Sequence, residues 1–172
     1  MGPQNQDGLP MWRVQYYRWI IITTCLLFIS ACLYESRQPS AVQGELDVSG
    51  WNFVRDGSIA LNGEWEFYWN QLRTPAYFSS NRLDLETKFI MFPHAWDAYK
   101  DRNASLPSQG YATYRLIIST ESAELKALRL NKILSAYRLW VNGELLATSG
   151  VVGIDAEAET PELSLKIVEF TP

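Results

Sequence analysis

The sequence predicts an all-β domain, an antiparallel β-sandwich, and three aromatic segments carry this prediction. They are residues 65–69 (WEFYW), 111–115 (YATYR) and 137–143 (YRLWVNG). Each segment alternates apolar and polar residues, as a strand does when one of its faces is buried. About eight short strands and no convincing helix favour a sandwich over other β folds.

Turn signals divide the first half of the globular part into short strands. Residues 45–54 open it with a first short strand, and another at 58–61 lies between the turn dipeptides Asp56-Gly57 and Asn62-Gly63. The strand at 63–69 follows, with Trp65, Phe67 and Trp69 facing the core and Glu64, Glu66 and Tyr68 facing away. Residues 70–78 are expected to form a helical turn that ends near Pro75.

The second half is also predicted to consist of strands. A strand at 88–92 stops at Pro93, and residues 96–110 form the longest loop, where function often lies. Strands at 111–120 and 125–130 follow. Asn142-Gly143 links strands at 136–141 and 144–148, because this dipeptide tolerates the two positive φ values of a tight hairpin. Residues 150–162 are expected to be loop, and residues 163–170 the last strand.

Composition argues against several classes of function. The net charge is −4 and no basic stripe is present, which argues against a nucleic-acid partner. His94 is the only histidine, and both cysteines, Cys25 and Cys32, precede the globular part, so neither a metal site nor a disulfide is expected there. The sequence has no phosphate loop, dinucleotide fingerprint or serine-nucleophile motif, and we expect no cofactor.

The N-terminal segment predicts export. Arg13 and Arg18 precede an uncharged run at 19–34. A helix of that length reaches only ~24 Å, less than the ~30 Å hydrocarbon core of a bilayer, so a signal peptide is favoured over an uncleaved membrane helix. Residues 29–32 (ISAC) resemble the lipobox of bacterial lipoproteins, which implies that Cys32 carries a lipid anchor.

This pattern predicts three regions in an exported protein of the bacterial cell envelope. Residues 1–32 are expected to be a lipoprotein-type signal peptide or a membrane anchor, and residues 33–44 a tether. Residues 45–172 form the folded domain, which would be periplasmic or attached to the outer membrane.

Seven pieces of the chain, in this order and spacing, carry a family resemblance. They are 56–57 (DG), 61–69 (LNGEWEFYW), 93–96 (PHAW), 110–115 (GYATYR), 135–143 (SAYRLWVNG), 150–153 (GVVG) and Pro161. In them the chain resembles the second type of extracellular jelly-roll domain of bacterial seven-transmembrane receptors with diverse intracellular signalling modules. Residues 139–143 are more distantly similar to the sugar-binding jelly roll of glycoside hydrolases. The resemblance implies a galactose-binding-like jelly roll that lacks its last strands.

The resemblance also implies a non-catalytic sensory or ligand-binding domain for a carbohydrate-like small molecule, tethered to the membrane. Two alternatives stay open: a glycan-binding accessory module of a glycoside hydrolase system, and a protein-interaction domain that uses an open sheet edge. In the family the domain continues into further strands and seven membrane helices. We therefore expect either a stand-alone lipoprotein relative or a truncated receptor fragment.

Five residues are predicted to contact the ligand: Trp96, Asp97, Tyr99, Arg115 and Trp140. Aromatic rings stack on the C–H faces of sugars, and Asp or Arg supply hydrogen bonds. The alternative roles are structural. Trp96 would plug the end of the sandwich, Trp140 would pack under a loop, and Arg115 would pair with Glu64 or Glu66 across strands.

Glu64 and Glu66 also raise the possibility of a glycosidase. They share a strand face ~6.5–7 Å apart, a spacing that a pair of catalytic carboxylates can use. Such pairs usually come from different strands around a deep cleft, so a solvated strand surface is favoured here and no catalytic residue is expected.

Overall fold

The computed structural model describes residues 38–80, 87–101, 104–131 and 133–172, and these residues are mostly β, with antiparallel sheets and few helices. The strands are β1 (Glu45–Asp47), β2 (Gly63–Trp69), β3 (Lys88–Phe92), β4 (Lys100–Asp101), β5 (Ala104–Ser105), β6 (Ala112–Arg115), β7 (Ile117–Ser119), β8 (Lys126–Leu130), β9 (Tyr137–Val141), β10 (Glu144–Ser149) and β11 (Lys166–Phe170). Two single-turn helices, α1 (Phe53–Asp56) and α2 (Pro75–Phe78), and a 3₁₀ turn (Trp96–Ala98) lie between them.

The central sheet consists of three antiparallel strands in the order β3-β2-β6. Phe67 of β2 lies between Lys88 of β3 and Tyr114 of β6, while its neighbour Glu66 is paired with Arg115. Directly paired residues share a face, so one side of the sheet is aromatic and the other is polar. The predicted bounds of β2 and β3 are confirmed, and so is the predicted alternation of faces along β2. Phe67 on the aromatic face is 1% exposed, and Tyr68 on the opposite face is also buried, at 3%.

One strand pair beside the central sheet is parallel. β6 continues as β7, and β7 pairs in parallel with β1. Gly44 joins the two sides: its N–H donates to the Glu64 carbonyl at 3.0 Å, and its own carbonyl accepts from the Ile117 N–H at 2.8 Å. Gly44 has a φ of +80°, and a Cβ there would stand 2.7 Å from Cγ of Glu66. The prediction of a purely antiparallel arrangement is wrong at the β1–β7 pair, which begins where Gly44 bridges Glu64 and Ile117.

A deeply buried cluster surrounds β1. Ala41, Leu46 and Val48 are exposed by 2%, 1% and 5%. Partly buried apolar side chains pack against them: Trp51, Ile59, Leu61, Trp65 and Leu116. One compact unit spans Gln38–Pro172, and Ala41 within it forms a bridge with Gly63. Residues 41–44, predicted to be tether, belong to the fold.

Two predicted local elements differ from the structure. Residues 58–61 do not form a strand, because the side chain of Gln38 occupies their backbone groups: it donates to the Ser58 carbonyl at 3.4 Å and accepts from the Ala60 N–H at 3.2 Å. The helical turn expected to end near Pro75 instead begins there, since proline is well suited to the first position of a helix.

The long loop predicted at 96–110 has structure of its own. The 3₁₀ turn is followed by a minimal antiparallel hairpin in which Lys100 lies opposite Ser105. Strands of two residues are too short for alternation to reveal them, which explains why the sequence did not predict this hairpin.

Two further strand pairs follow. β9 and β10 are joined at Asn142-Gly143, whose φ values are 51° and 89°, as the sequence predicts. β8 and β11 pair antiparallel with Leu128 opposite Val168. The last strand begins at Lys166, three residues later than predicted.

The predicted leader at 1–32, with Cys32, lies outside the described residues. Within the described ranges, no helix has the length and apolar character needed to cross a membrane.

Candidate ligand-binding site

Ring contacts run across the aromatic face of the central sheet. Trp65 on β2 lies 4.4 Å from Phe92 on β3, and Phe92 lies 5.3 Å from Tyr114 on β6, measured between ring centroids. Tyr114 lies 5.1 Å from Phe67, which in turn lies 5.9 Å from Trp69. Each such pair stabilises by about 0.5–1.5 kcal/mol beyond the area that it buries. These contacts pack the rings of β2, β3 and β6 into one continuous aromatic surface, called the platform below.

The segment after β3 folds over this platform. The Trp96 indole donates from Nε1 to the Tyr114 hydroxyl at 2.6 Å, and its ring meets Trp69 edge-on at 4.9 Å. Tyr99 stacks on Phe67 with 6.5 Å between centroids. Two side chains of the long loop are thus held against the rings of the sheet.

Backbone contacts hold the rest of this loop. The Leu106 N–H donates to the Tyr99 carbonyl at 2.9 Å and so closes the β4–β5 hairpin onto the 3₁₀ turn. At the far end, Gly110 lies so close to Trp69 that a Cβ would come within 2.3 Å of the indole ring. Glycine is needed there for space, which allows Trp69 to pack directly on the backbone.

A cavity of about 340 Å³ lies between the sheet and the loop. Its described lining residues are Phe67, Trp69, Lys88, Phe89, Ile90, Tyr99 and Leu106. Sites for small molecules commonly measure about 300–1,000 Å³ and combine apolar walls with a few polar groups. The volume of this cavity lies in that range, and its walls are mainly apolar.

Burial disfavours ionisation of two tyrosines at this site. Loss of solvation raises the pKa of Tyr114 above its ordinary value of 10.0, against the opposing effect of the hydrogen bond from Trp96. Burial likewise raises the pKa of Tyr99. The Tyr99 hydroxyl is buried without a hydrogen-bond partner among the described residues, so this residue contributes its ring, and not an accessible hydroxyl, to the cavity wall.

Arg115, a predicted ligand contact, lies on the opposite, polar face of the sheet. Its Nη1 donates to both carboxylate oxygens of Glu66, at 2.8 and 2.9 Å. The guanidinium carbon lies 4.9 Å from the centroid of the Phe78 ring. The cross-strand ion pair considered as the alternative is present, and Arg115 does not line the cavity.

Around Glu66 the polar face is covered, which differs from the solvated surface that the sequence predicts, whereas Phe89 and Met91 of β3 on the same face are exposed. The Glu66 side chain is only 12% exposed and also accepts from the Tyr68 hydroxyl at 2.8 Å. Arg73 lies over the rings of Tyr68 and Tyr77, 3.9 and 4.1 Å from their centroids. Glu64 accepts from the Gln43 N–H at 3.1 Å. Both carboxylates therefore have structural contacts.

The other predicted contacts fall in different places. Trp140 lies on β9 opposite Leu145 of β10, outside the cavity lining. Asp97 is exposed in the 3₁₀ turn. Of the predicted set, Tyr99 lines the cavity and Trp96 supports its wall.

Sequence reasoning did not predict several lining residues. Phe67 and Trp69 were assigned to the core alone, and Lys88, Ile90 and Leu106 were given no role in binding. One signal was present: Lys88 stands at the same alternation phase as Ile90 and Phe92, a charge on an otherwise apolar face. Nothing in the sequence pointed to Leu106.

Comparisons with protein-family models, with curated proteins and with solved structures gave no match. The family resemblance stays a prediction, and the function is argued from the cavity.

Proposed function

We propose that this chain is a non-catalytic sensory or ligand-binding domain of the jelly-roll type, which holds a small molecule between β2, β3 and the loop at 96–106. The cavity carries the proposal, because its size and aromatic walls suit a ligand with a flat apolar face. The family resemblance adds the expectation of a carbohydrate-like ligand and of a tethered position in the bacterial cell envelope.

Recognition would work by stacking and by exclusion of water. Phe67, Trp69 and Tyr99 offer ring surfaces at the cavity, and the hydrogen bond from Trp96 to Tyr114 holds the loop in place. Binding is reversible and involves no covalent step. The engagement of Glu66 by Arg115 on the far face supports binding without turnover.

A thermal-shift panel of neutral, amino and acidic sugars and small aromatic compounds, run on the full-length chain, tests this proposal. A ligand present at 100 times its Kd stabilises the folded state by about 2.7 kcal/mol. Leu106→Trp places a large ring at the cavity and should abolish the shift, whereas Trp140→Phe, outside the lining, should retain it. The reverse result would place the ligand at the β9–β10 hairpin and overturn the proposal.

A second candidate, a protein-interaction domain, is favoured by the edge of β11. β11 pairs with β8 on one side, and no strand among the described residues pairs with its other side. Ile167 on this strand is 62% exposed, and an open edge can accept a strand from another chain. Ile167→Lys should release a co-purifying partner without changing the ligand-induced thermal shift.

A further inference from the structure

We propose that the ligand of the cavity is acidic: a ring compound whose apolar face stacks on the aromatic wall and whose carboxylate binds the ammonium group of Lys88. This inference rests on the proposed function and specifies its ligand class.

The register of the sheet places Lys88 at the cavity. Lys88 of β3 lies directly opposite Phe67 of β2, and residues paired in this way project from the same face. Both residues line the cavity. Among the described lining residues Lys88 alone is charged, so the cavity presents an aromatic floor with a positive group beside it.

The remaining lining favours few polar groups on the ligand. Phe67, Trp69, Phe89, Ile90 and Leu106 supply no polar side-chain group for a neutral ligand except the indole N–H. The Tyr99 hydroxyl is itself buried away from solvent. Hydroxyl groups placed against such walls would lose their hydrogen bonds to water without replacement. An apolar ring face avoids that penalty.

A single acidic group on the ligand suits Lys88, the one charged side chain among the described lining residues. Lys88 is solvent-exposed, so a carboxylate paired with it lies at the rim, where the ligand's charge keeps part of its hydration. An ammonium group has three donor hydrogens, so a partner elsewhere in the protein still leaves donors for a ligand. Hydrogen bonds between charged groups are stronger than those between neutral ones.

Calorimetric titration of the full-length chain with matched acid and neutral pairs tests this inference. The pair galacturonate and galactose tests for a sugar acid, and the pair benzoate and benzyl alcohol tests for an aromatic acid. The pair that binds shows which of the two kinds of ligand the cavity takes. We expect the acid of the binding pair to bind up to about fivefold more tightly at low salt, the range expected for a solvent-exposed ion pair. This advantage should shrink in 0.5 M NaCl, because salt screens an exposed pair.

Variants of Lys88 complete the test. Lys88→Met keeps the apolar stem and should remove the acid preference, and Lys88→Arg should retain it. Equal binding of acid and neutral partners, or an acid preference that survives in Lys88→Met, would overturn this inference and leave the proposed function intact. If neither matched pair nor any compound of the thermal-shift panel binds, both this inference and the proposed function are overturned. The salt dependence of the unmodified chain decides the question even if a variant does not fold.

Discussion

At the level of single residues, Glu66 organises the polar face of the central sheet. Its carboxylate accepts from Arg115 and from the Tyr68 hydroxyl, and its side chain is only 12% exposed. Removing one partner would leave a largely buried charge without compensation, which is costlier than losing an exposed pair.

Arg115→Met should therefore lower the free energy of unfolding by about 1–3 kcal/mol. The matched control is Arg55→Met, which breaks a pair with Asp56 whose arginine side chain is 72% exposed; such pairs contribute about 0.2–1 kcal/mol. Urea denaturation of both variants gives the comparison. The two carboxylate side chains are equally exposed, at 12%, and the arginines differ, at 35% for Arg115 and 72% for Arg55. Equal losses would therefore contradict a larger contribution from the less exposed arginine.

Tyr114 should make stability depend on pH in the alkaline range. Burial raises its pKa in the folded state, so the unfolded chain loses the phenolic proton first as the pH rises. Stability from this group is then fully present below about pH 10, the ordinary tyrosine pKa, and is lost as the pH rises through the folded-state value. Tyr114→Phe should flatten part of this alkaline decline. Parallel stability curves for the two chains between about pH 8 and 11 would contradict the assignment.

Several residue roles could be read from sequence and others could not. The sequence offered pairing of Arg115 with Glu64 or Glu66 as the alternative to a ligand contact, and the register of β2 and β6 selects Glu66. The low exposure of Glu66 does not follow from strand alternation, because α2 and Arg73 fold back from beyond the strand.

At the level of elements, the start of β2 depends on a close backbone approach. Gly63 has a φ of +121°, and a Cβ there would stand 2.3 Å from the Ala41 carbonyl oxygen. Both features require glycine, and together they allow residues 41–44 to pack beside β2.

Gly63→Ala should consequently destabilise the domain by about 1–3 kcal/mol, the usual range for enforced backbone strain. Gly50→Ala is the matched control, since a Cβ at Gly50 meets nothing within 4 Å, and its effect should stay within about 0.5 kcal/mol. Thermal melts followed by circular dichroism would show the difference. A Gly63→Ala chain as stable as Gly50→Ala would show that residues 41–44 do not pack as described.

Element length decides how well the sequence predicts the strands. β2 carries a large ring at every second residue from Trp65 to Trp69. The β9–β10 hairpin has a turn dipeptide with two positive φ values. Both elements are predicted. The strands of the β4–β5 hairpin have two residues each, too few for a period to be visible, and they were not predicted. β1 and β7 lie within the strands predicted at 45–54 and 111–120, but the parallel pairing between them was not predicted. Both pairings depend on tertiary partners.

At the level of the whole molecule, the extent of the folded unit is testable. A chain that begins at residue 38 keeps Ala41 and the Gly44 bridge, whereas one that begins at residue 45 loses both. The longer chain should unfold cooperatively. The shorter one should be markedly less stable, because its core cluster loses a wall and the backbone of Glu64 loses partners. Equal urea midpoints would agree with the domain boundary predicted at residue 45 and would contradict a stabilising role for residues 38–44.

The cavity is likewise a property of the whole fold. It forms because Tyr99 and Leu106 of the loop meet rings and aliphatic groups on β2 and β3, residues distant in sequence. The aromatic composition of the loop pointed to Trp96 and Tyr99, but the opposing wall required the register of the sheet.

The most direct test is chemical-shift mapping of the full-length chain, titrated with the compound that gives the largest thermal shift. We predict that the Trp69 indole and the Ile90 and Leu106 methyl groups shift together with a single Kd, while the Trp140 indole and the Ile167 methyl groups stay unchanged. Shifts confined to Trp140 or Ile167, with the three cavity probes unmoved, would contradict a ligand site on the aromatic face of the central sheet.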